Sequence, residues 1–144
     1  MLAEYRHGLD PRVFPLGEKW ILREEKSVAS ARRFVRDTAT DWNVVAHVPE
    51  IAELLVSELV ANAIAHNTAG VSRASAIRVT VGREKNLMTV DVHDSSTRIP
   101  RMRRAARLGT SGRGLGVVQA LSHDWGWTLN PYGNSVWLQI LAWP

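Results

Sequence analysis

Hydrophobic positions along the 144-residue chain change their spacing several times, and each change marks an element. Val28, Ala31, Phe34, Val35 and Trp42 recur at helical intervals, which predicts a helix capped by Ser27 and running to about Asp41. Pro49 suits the first turn of a second helix, reaching to about Asn67, with Gly70 a little beyond. The period then drops to two. Ile77, Val79 and Val81 in "AIRVTV" fall on one face, as do Met88, Val90 and Val92 in "LMTVDVHD". The "GREKN" between them is hairpin-sized. "KWILRE" reads as a short strand, "GLGVVQALSH" as a third helix, and "WGWTLN" with "SVWLQIL" as a closing hairpin around "PYGN". Residues 1–14 read as a loose arm, with Gly8, Pro11 and Pro15 as punctuation. Residues 15–144 make one domain. Helices on one side of a mostly antiparallel sheet give an α+β fold, a two-layer α/β sandwich.

Composition narrows the classes of function. There is no cysteine, so a disulfide framework and a thiolate metal site are both excluded. No apolar run is long enough to span a bilayer, and "MLAEYRHGLDPRVFP" lacks the apolar stretch of a signal peptide. The expectation is a cytoplasmic protein without a membrane role. A formal net charge of +4 favours anionic partners, but only weakly. No internal repeat or low-complexity tract is visible.

Candidate chemistry begins in the second helix, at "VSELVANAIAHN". Counting about 100° per residue from Glu50, Glu58 falls at about 80° and Asn62 at about 120°. Ile51 and Leu55 flank Asn62, while Glu50, Glu53, Ser57 and Ala61 form the solvated stripe. Glu58 and Asn62 are therefore neighbours on the buried side. Two readings stand side by side. In one, an arginine from elsewhere holds a buried Glu58, and Asn62 bonds to backbone. In the other, both line a cavity, where a carboxylate can deprotonate a nucleophile and an amide oxygen can ligate a hard cation. His66, one turn further on, can line the same cavity or simply end the helix.

Asp94 shares the parity of Met88, Val90 and Val92, so it points inward, opposite to Asp91 and His93. It either makes a turn with Ser96 or sits at a cavity mouth and accepts a hydrogen bond from a ligand amine. Further on, "GTSGRGLGVVQ" sets Gly109, Gly112, Gly114 and Gly116 ahead of a helix, a suitable cradle for phosphate. Its spacing matches neither a Walker loop nor a dinucleotide fingerprint. Between Asp94 and Asp124 the chain has no acidic residue but carries Arg98, Arg101, Arg103, Arg104, Arg107 and Arg113. Such a run is either a solvated face or an attractor of polyphosphate. Trp125, Trp127 and Trp137 read as packing residues, and Trp42 as a lid on the core.

Glu-x-x-x-Asn on a helix, an Asp closing a strand and G-x-G-x-G opening a helix, in that order, resemble the Bergerat-fold superfamily of ATPases and kinases. Within it, "SELVANAIAH", "VDVHDSSTRIP", "GRGLGVVQALSHDWGW" and "GNSVWLQI" look like the small anti-sigma-type ATP-binding proteins of actinobacteria. The resemblance runs from about Val13 to the last residue, and "ARRFVRD" agrees with it. It implies ATP and Mg²⁺ as cofactors. Asn62 would ligate the Mg²⁺, Glu58 would be the catalytic base and Asp94 would accept from the adenine amine. Gly112, Gly114 and Gly116, with the N–H groups of Arg113 and Leu115, would hold the phosphates. His66 and Ser96 would border the nucleotide, and Ser135 stands where the family often has Thr near the adenine. Residues 95–111 would be a mobile lid.

The resemblance further implies an ATP-dependent serine/threonine kinase that phosphorylates an anti-anti-sigma (STAS-type) partner and controls a sigma factor by partner switching. Two departures bear on it. "DSSTR" replaces the usual Asp-x-Gly-x-Gly, with Ser96 and Arg98 at the glycine positions. Asn134 stands where Lys is common. No phosphoacceptor-histidine region or helix pair precedes the domain, which argues against a full sensor histidine kinase. The altered glycine box favours a rival, a non-catalytic module that acts by sequestering a partner. A nucleic-acid binder ranks lower, because the arginine stretch has no interleaved aromatics. Monomer and homodimer both stay open.

Overall fold

The computed structural model describes residues 11–66, 76–94, 112–130 and 133–144. In chain order the elements are β1 (Phe14–Leu22), α1 (Ser27–Asp41), α2 (Val48–His66), β2 (Ala76–Glu84), β3 (Leu87–Asp94), α3 (Gly112–Leu121), β4 (Asp124–Asn130) and β5 (Gly133–Leu141). The strands form one sheet in the order β1-β2-β3-β5-β4, with every neighbouring pair antiparallel. This is the expected α+β sandwich. The first ten residues of the arm, the stretch 95–111 and residues 131–132 lie outside the described residues. No helix among the described residues is long and apolar enough to cross a membrane.

Strand alternation builds the core. Ile77, Val79 and Val81 of β2, Met88, Val90 and Val92 of β3, and Val136, Leu138 and Ile140 of β5 line one face of the sheet. Against them pack Ala31, Val35 and Ala39 of α1 and Ala52, Leu55, Val56, Leu59 and Val60 of α2. Truncating one of these large aliphatics to Ala would cost about 2–5 kcal/mol, because the rigid sheet limits collapse of the cavity.

Several boundaries differ from expectation for local reasons. β1 begins at Phe14 and not at Lys19, since it pairs with β2 along its whole length, with an irregularity between Pro15 and Gly17. Ser27 does not cap α1; the N-cap is Lys26, without a side-chain cap bond. A backbone turn does the work instead, with Ser27 N–H donating to the Glu24 carbonyl (2.9 Å) and Val28 N–H to that of Glu25 (3.1 Å). At the other end Asn43 takes φ 58°. There Val44 N–H bonds the Ala39 carbonyl (3.3 Å) and Asn43 N–H that of Thr40 (3.1 Å). That is the two-bond C-terminal motif in which a left-handed residue satisfies the last carbonyls, and Asn tolerates the conformation. The β2–β3 loop is shorter than "GREKN" suggests, because Glu84 pairs with Leu87 and only Lys85 and Asn86 turn. Trp42 is exposed and meets Phe14 edge to face at 6.0 Å, so it is less a lid than expected. Its carbonyl accepts from Trp143 Nε1 (2.9 Å).

The sheet face turned away from the helices is also buried in part. Thr89, Asp91, Thr128, Ser135, Trp137 and Gln139 all lie there, each buried. Trp137 lies flat over Gly126, where an added Cβ would come within 2.8 Å of its ring. Asp91 is 2% exposed, and neither carboxyl oxygen reaches hydrogen-bonding geometry with any described residue. Burial pushes its carboxyl up to about 8, while the Arg78 guanidinium and, more weakly, the Ser135 hydroxyl pull it part of the way back. Between the unperturbed value of 3.8 and about 8 the folded protein keeps a proton that the unfolded chain has released. The stability tied to that proton is full below the lower value and is lost as pH rises through the upper one. Asp91→Asn should therefore flatten the decline in Tm between about pH 4 and 8 and raise Tm above pH 8 by about 5 °C or more. Thermal melts between pH 5 and 9 check this; an unchanged slope in the variant would show that Asp91 does not titrate there.

Candidate functional site

The site grows from two inward-turned residues at strand ends. Alternation along β1 buries Ile21 and exposes Leu22, so Arg23, just past the strand, turns back inside and is 3% exposed. Alternation along β3 does the same for Asp94, also 3% exposed. Ile21 pairs with Ile77, which pairs with Asp94, so Arg23 reaches across the start of β2. Its guanidinium donates from Nη2 to Asp94 Oδ1 (2.5 Å) and from Nη1 to Asp94 Oδ2 (3.1 Å). Nη1 also donates to the Ala63 carbonyl of α2 (3.3 Å). A planar fork on a carboxylate is the geometry that offsets the desolvation of both charges. One side chain thus ties β1, β3 and the C-terminal half of α2 together.

Asn62 precedes Ala63, and its amide is the second element of the site. It is half-buried, and its Oδ1 is buried with no hydrogen-bond partner among the described residues. A buried acceptor left without any partner costs about 1–3 kcal/mol, so the position suits a donor or a cation. Glu58, one turn earlier, is half-buried and makes no ion pair or hydrogen bond among the described residues. Of the stripe expected to be solvated, Glu50 and Ala61 are exposed. Glu53 and Ser57 are half-buried, and Glu53 pairs with Arg36 of α1 at 3.6 Å. No three His, Asp or Glu side chains gather as a metal site among the described residues. A cation here would rest on Asn62 and on oxygens brought by its own ligand.

The glycine stretch is the third element. It does not precede the helix as a loop; Gly112 to Gly116 already form the first turn of α3. N–H groups of a first turn have no partner within the helix and favour an anion. A Cβ added at Gly116 would meet nothing within 4 Å, so packing within the chain does not demand glycine there. α3 packs against α2, the helix that carries Glu58 and Asn62.

The remaining expected residues fall as follows. His66 is the last residue of α2, and its side chain is not among those described; Ser96 lies outside the described residues. Ser135 is a correction. Asp94 pairs with Asn134, and strand alternation sends Ser135 to the opposite face of the sheet. There its Oγ lies 2.8 Å from His93 Nδ1. Trp125 and Trp127 pack on the core with rings 5.7 Å apart, as packing residues should. Arg23 is the residue that the sequence reading missed. The signal was there, since Arg23 has the parity of Ile21. A buried carboxylate held by an arginine was anticipated, but at Glu58 and not at Asp94.

A sequence model of the histidine kinase-like ATPase domain matches residues 22–140, a span that includes Arg23, Glu58, Asn62, Asp94 and the α3 glycines. Among solved structures, the chain is similar to the crystal structure of the RsbU and RsbW domains of Rv1364c from Mycobacterium tuberculosis. That likeness has a TM-score of 0.65 at 16% identity, over 88% of this chain. It covers 32% of the other chain, so this protein spans about a third of that structure's length. At such identity the likeness speaks for the fold. No curated protein matches. If Gly116 serves access and not packing, Gly116→Ala should melt at or slightly above the wild type, by about 0.5–1 kcal/mol of helix preference. A variant that is clearly less stable by thermal melt would show that the glycine has a structural duty after all.

Proposed function

Because the chain belongs to the histidine kinase-like ATPase domain family, we propose that it binds ATP with Mg²⁺ and phosphorylates a serine or threonine of an anti-anti-sigma (STAS-type) partner. Partner switching would then control a sigma factor. The observation that carries the reading is the buried Asn62 Oδ1, without a partner among the described residues, one turn from Glu58 on the helix that Arg23 ties to Asp94. An amide oxygen in want of a partner suits a hard cation.

This reading gives each residue a role. Asn62 would hold Mg²⁺, which when bound supplies neutralisation of the phosphate charge. The first turn of α3 would offer the N–H groups of Arg113 and Leu115 to the phosphates. Asp94, an acceptor when ionised, would take a hydrogen bond from the adenine amine. Glu58 would accept the proton of the attacking hydroxyl as its oxygen bonds the γ-phosphorus and ADP leaves. Catalysis of this kind is mainly positioning and charge neutralisation, and the residues here are suited to both.

Binding and transfer are separable. Asn62→Ala should weaken ATP·Mg²⁺ binding about tenfold or more in calorimetry, by analogy with the loss of a hydrogen bond to a charged ligand. Glu58→Gln should keep binding within about threefold but cut phosphate transfer to the partner about 10²-fold or more. Normal affinity in Asn62→Ala would refute the site. Tight binding with no labelling of any cognate partner by radiolabelled ATP would leave sequestration as the mode of action.

A further inference from the structure

The proposed site reads the base through Asp94, and Asp94 is not alone. The residue is 3% exposed, and its carboxylate is gripped at both oxygens by the Arg23 fork, itself anchored on the Ala63 carbonyl. We propose that Arg23 is a specificity-determining positioning residue that fixes Asp94 as a charged, acceptor-only group, so that the site takes a purine with a 6-amino group and rejects one with a 6-keto group. This inference rests on the nucleotide-binding reading above and deepens it.

The chemistry is one of donors and acceptors. An ionised carboxylate can accept hydrogen bonds but cannot donate one. It therefore suits the amine of adenine and repels the carbonyl oxygen that inosine and guanine carry at the same position. A neutral carboxyl both donates and accepts, and discriminates poorly. In so buried a place a carboxylate stripped of its counter-charge is costly to hold in one position. The arginine holds it. Two parallel N–H bonds fix the plane of the carboxyl group as well as its charge, and the third bond ties that plane to the residue beside Asn62. Arg23 need not touch the nucleotide to set which base the site accepts.

The test measures dissociation constants for ATP and for ITP, each with Mg²⁺, in the wild type, Arg23→Lys and Arg23→Gln. Circular dichroism and thermal melts establish that each variant is folded. The wild type should prefer ATP by about tenfold or more, as sites built around a specific hydrogen bond do. Arg23→Gln should lose ATP affinity, and its ATP-to-ITP ratio should fall towards one. Arg23→Lys keeps the charge but not the fork and should fall between. If Arg23→Gln fails to fold, the ratio in Arg23→Lys decides. A folded variant with lower affinity for both nucleotides and an unchanged ratio would overturn the proposal, since a purely structural arginine would weaken both alike. A wild type that binds neither nucleotide would instead overturn the nucleotide-binding reading itself, and this inference with it.

Discussion

Arg23 and Asp94 lie 71 positions apart in sequence and meet as a two-point ion pair inside the protein. Much of the site depends on that meeting. A charge buried to this degree without its partner would be costly by several kcal/mol, so the two strand ends that carry them hold each other in place. The third bond, to the Ala63 carbonyl, extends the constraint to the helix with Glu58 and Asn62. The pair therefore acts as a joint between three elements. Packing could hold these elements near one another, but it would not fix the plane of a carboxylate.

Most of the fold was legible in the chain because its layers follow simple periods. The twofold alternation of β2 and β3 foretold which side chains enter the core, down to the inward turn of Asp94. The helical spacing of α1 gave its two ends. What failed was chemistry that depends on neighbours. Ser27 looks like a cap, but a preceding backbone turn had already satisfied the first N–H groups. Ser135 was assigned by analogy to a neighbourhood, whereas register with Asp94 decides the face, and a shift of one residue sends a side chain to the other side. Arg23 was hidden because the local sequence says nothing of a partner so distant. On α2, the inward placement of Asn62 could be read from a wheel; that its oxygen would lack a partner could not.

The reverse face of the sheet is the less familiar part of the molecule. Two-layer folds commonly leave that side to solvent. Here Thr89, Asp91, Ser135, Trp137 and Gln139 are all buried on it. The two faces thus obey different rules. One is apolar and closed by helices. The other holds polar groups at a cost, with Asp91 giving up its charge to remain there. Mutations on the same strand will therefore act through cavity terms on alternate residues and through electrostatics on the others.

The strand order also bears on how the chain reaches its fold. β5 sits between β3 and β4, so β3 finds its second neighbour only after the whole of 95–132 has been passed over. Only β2 with β3 and β4 with β5 can pair as local hairpins; β1 reaches β2 across both α1 and α2, so each edge of the β2–β3 hairpin stands open until a distant strand arrives. Such non-local pairing is slow, because loop closure must precede the contacts that reward it. During that interval an unpaired row of backbone groups is exposed to any other chain. The time of greatest vulnerability in the life of this protein is therefore the wait for its two distant pairings, β1 on β2 and β5 on β3, and crowding by unfolded neighbours would be most harmful then.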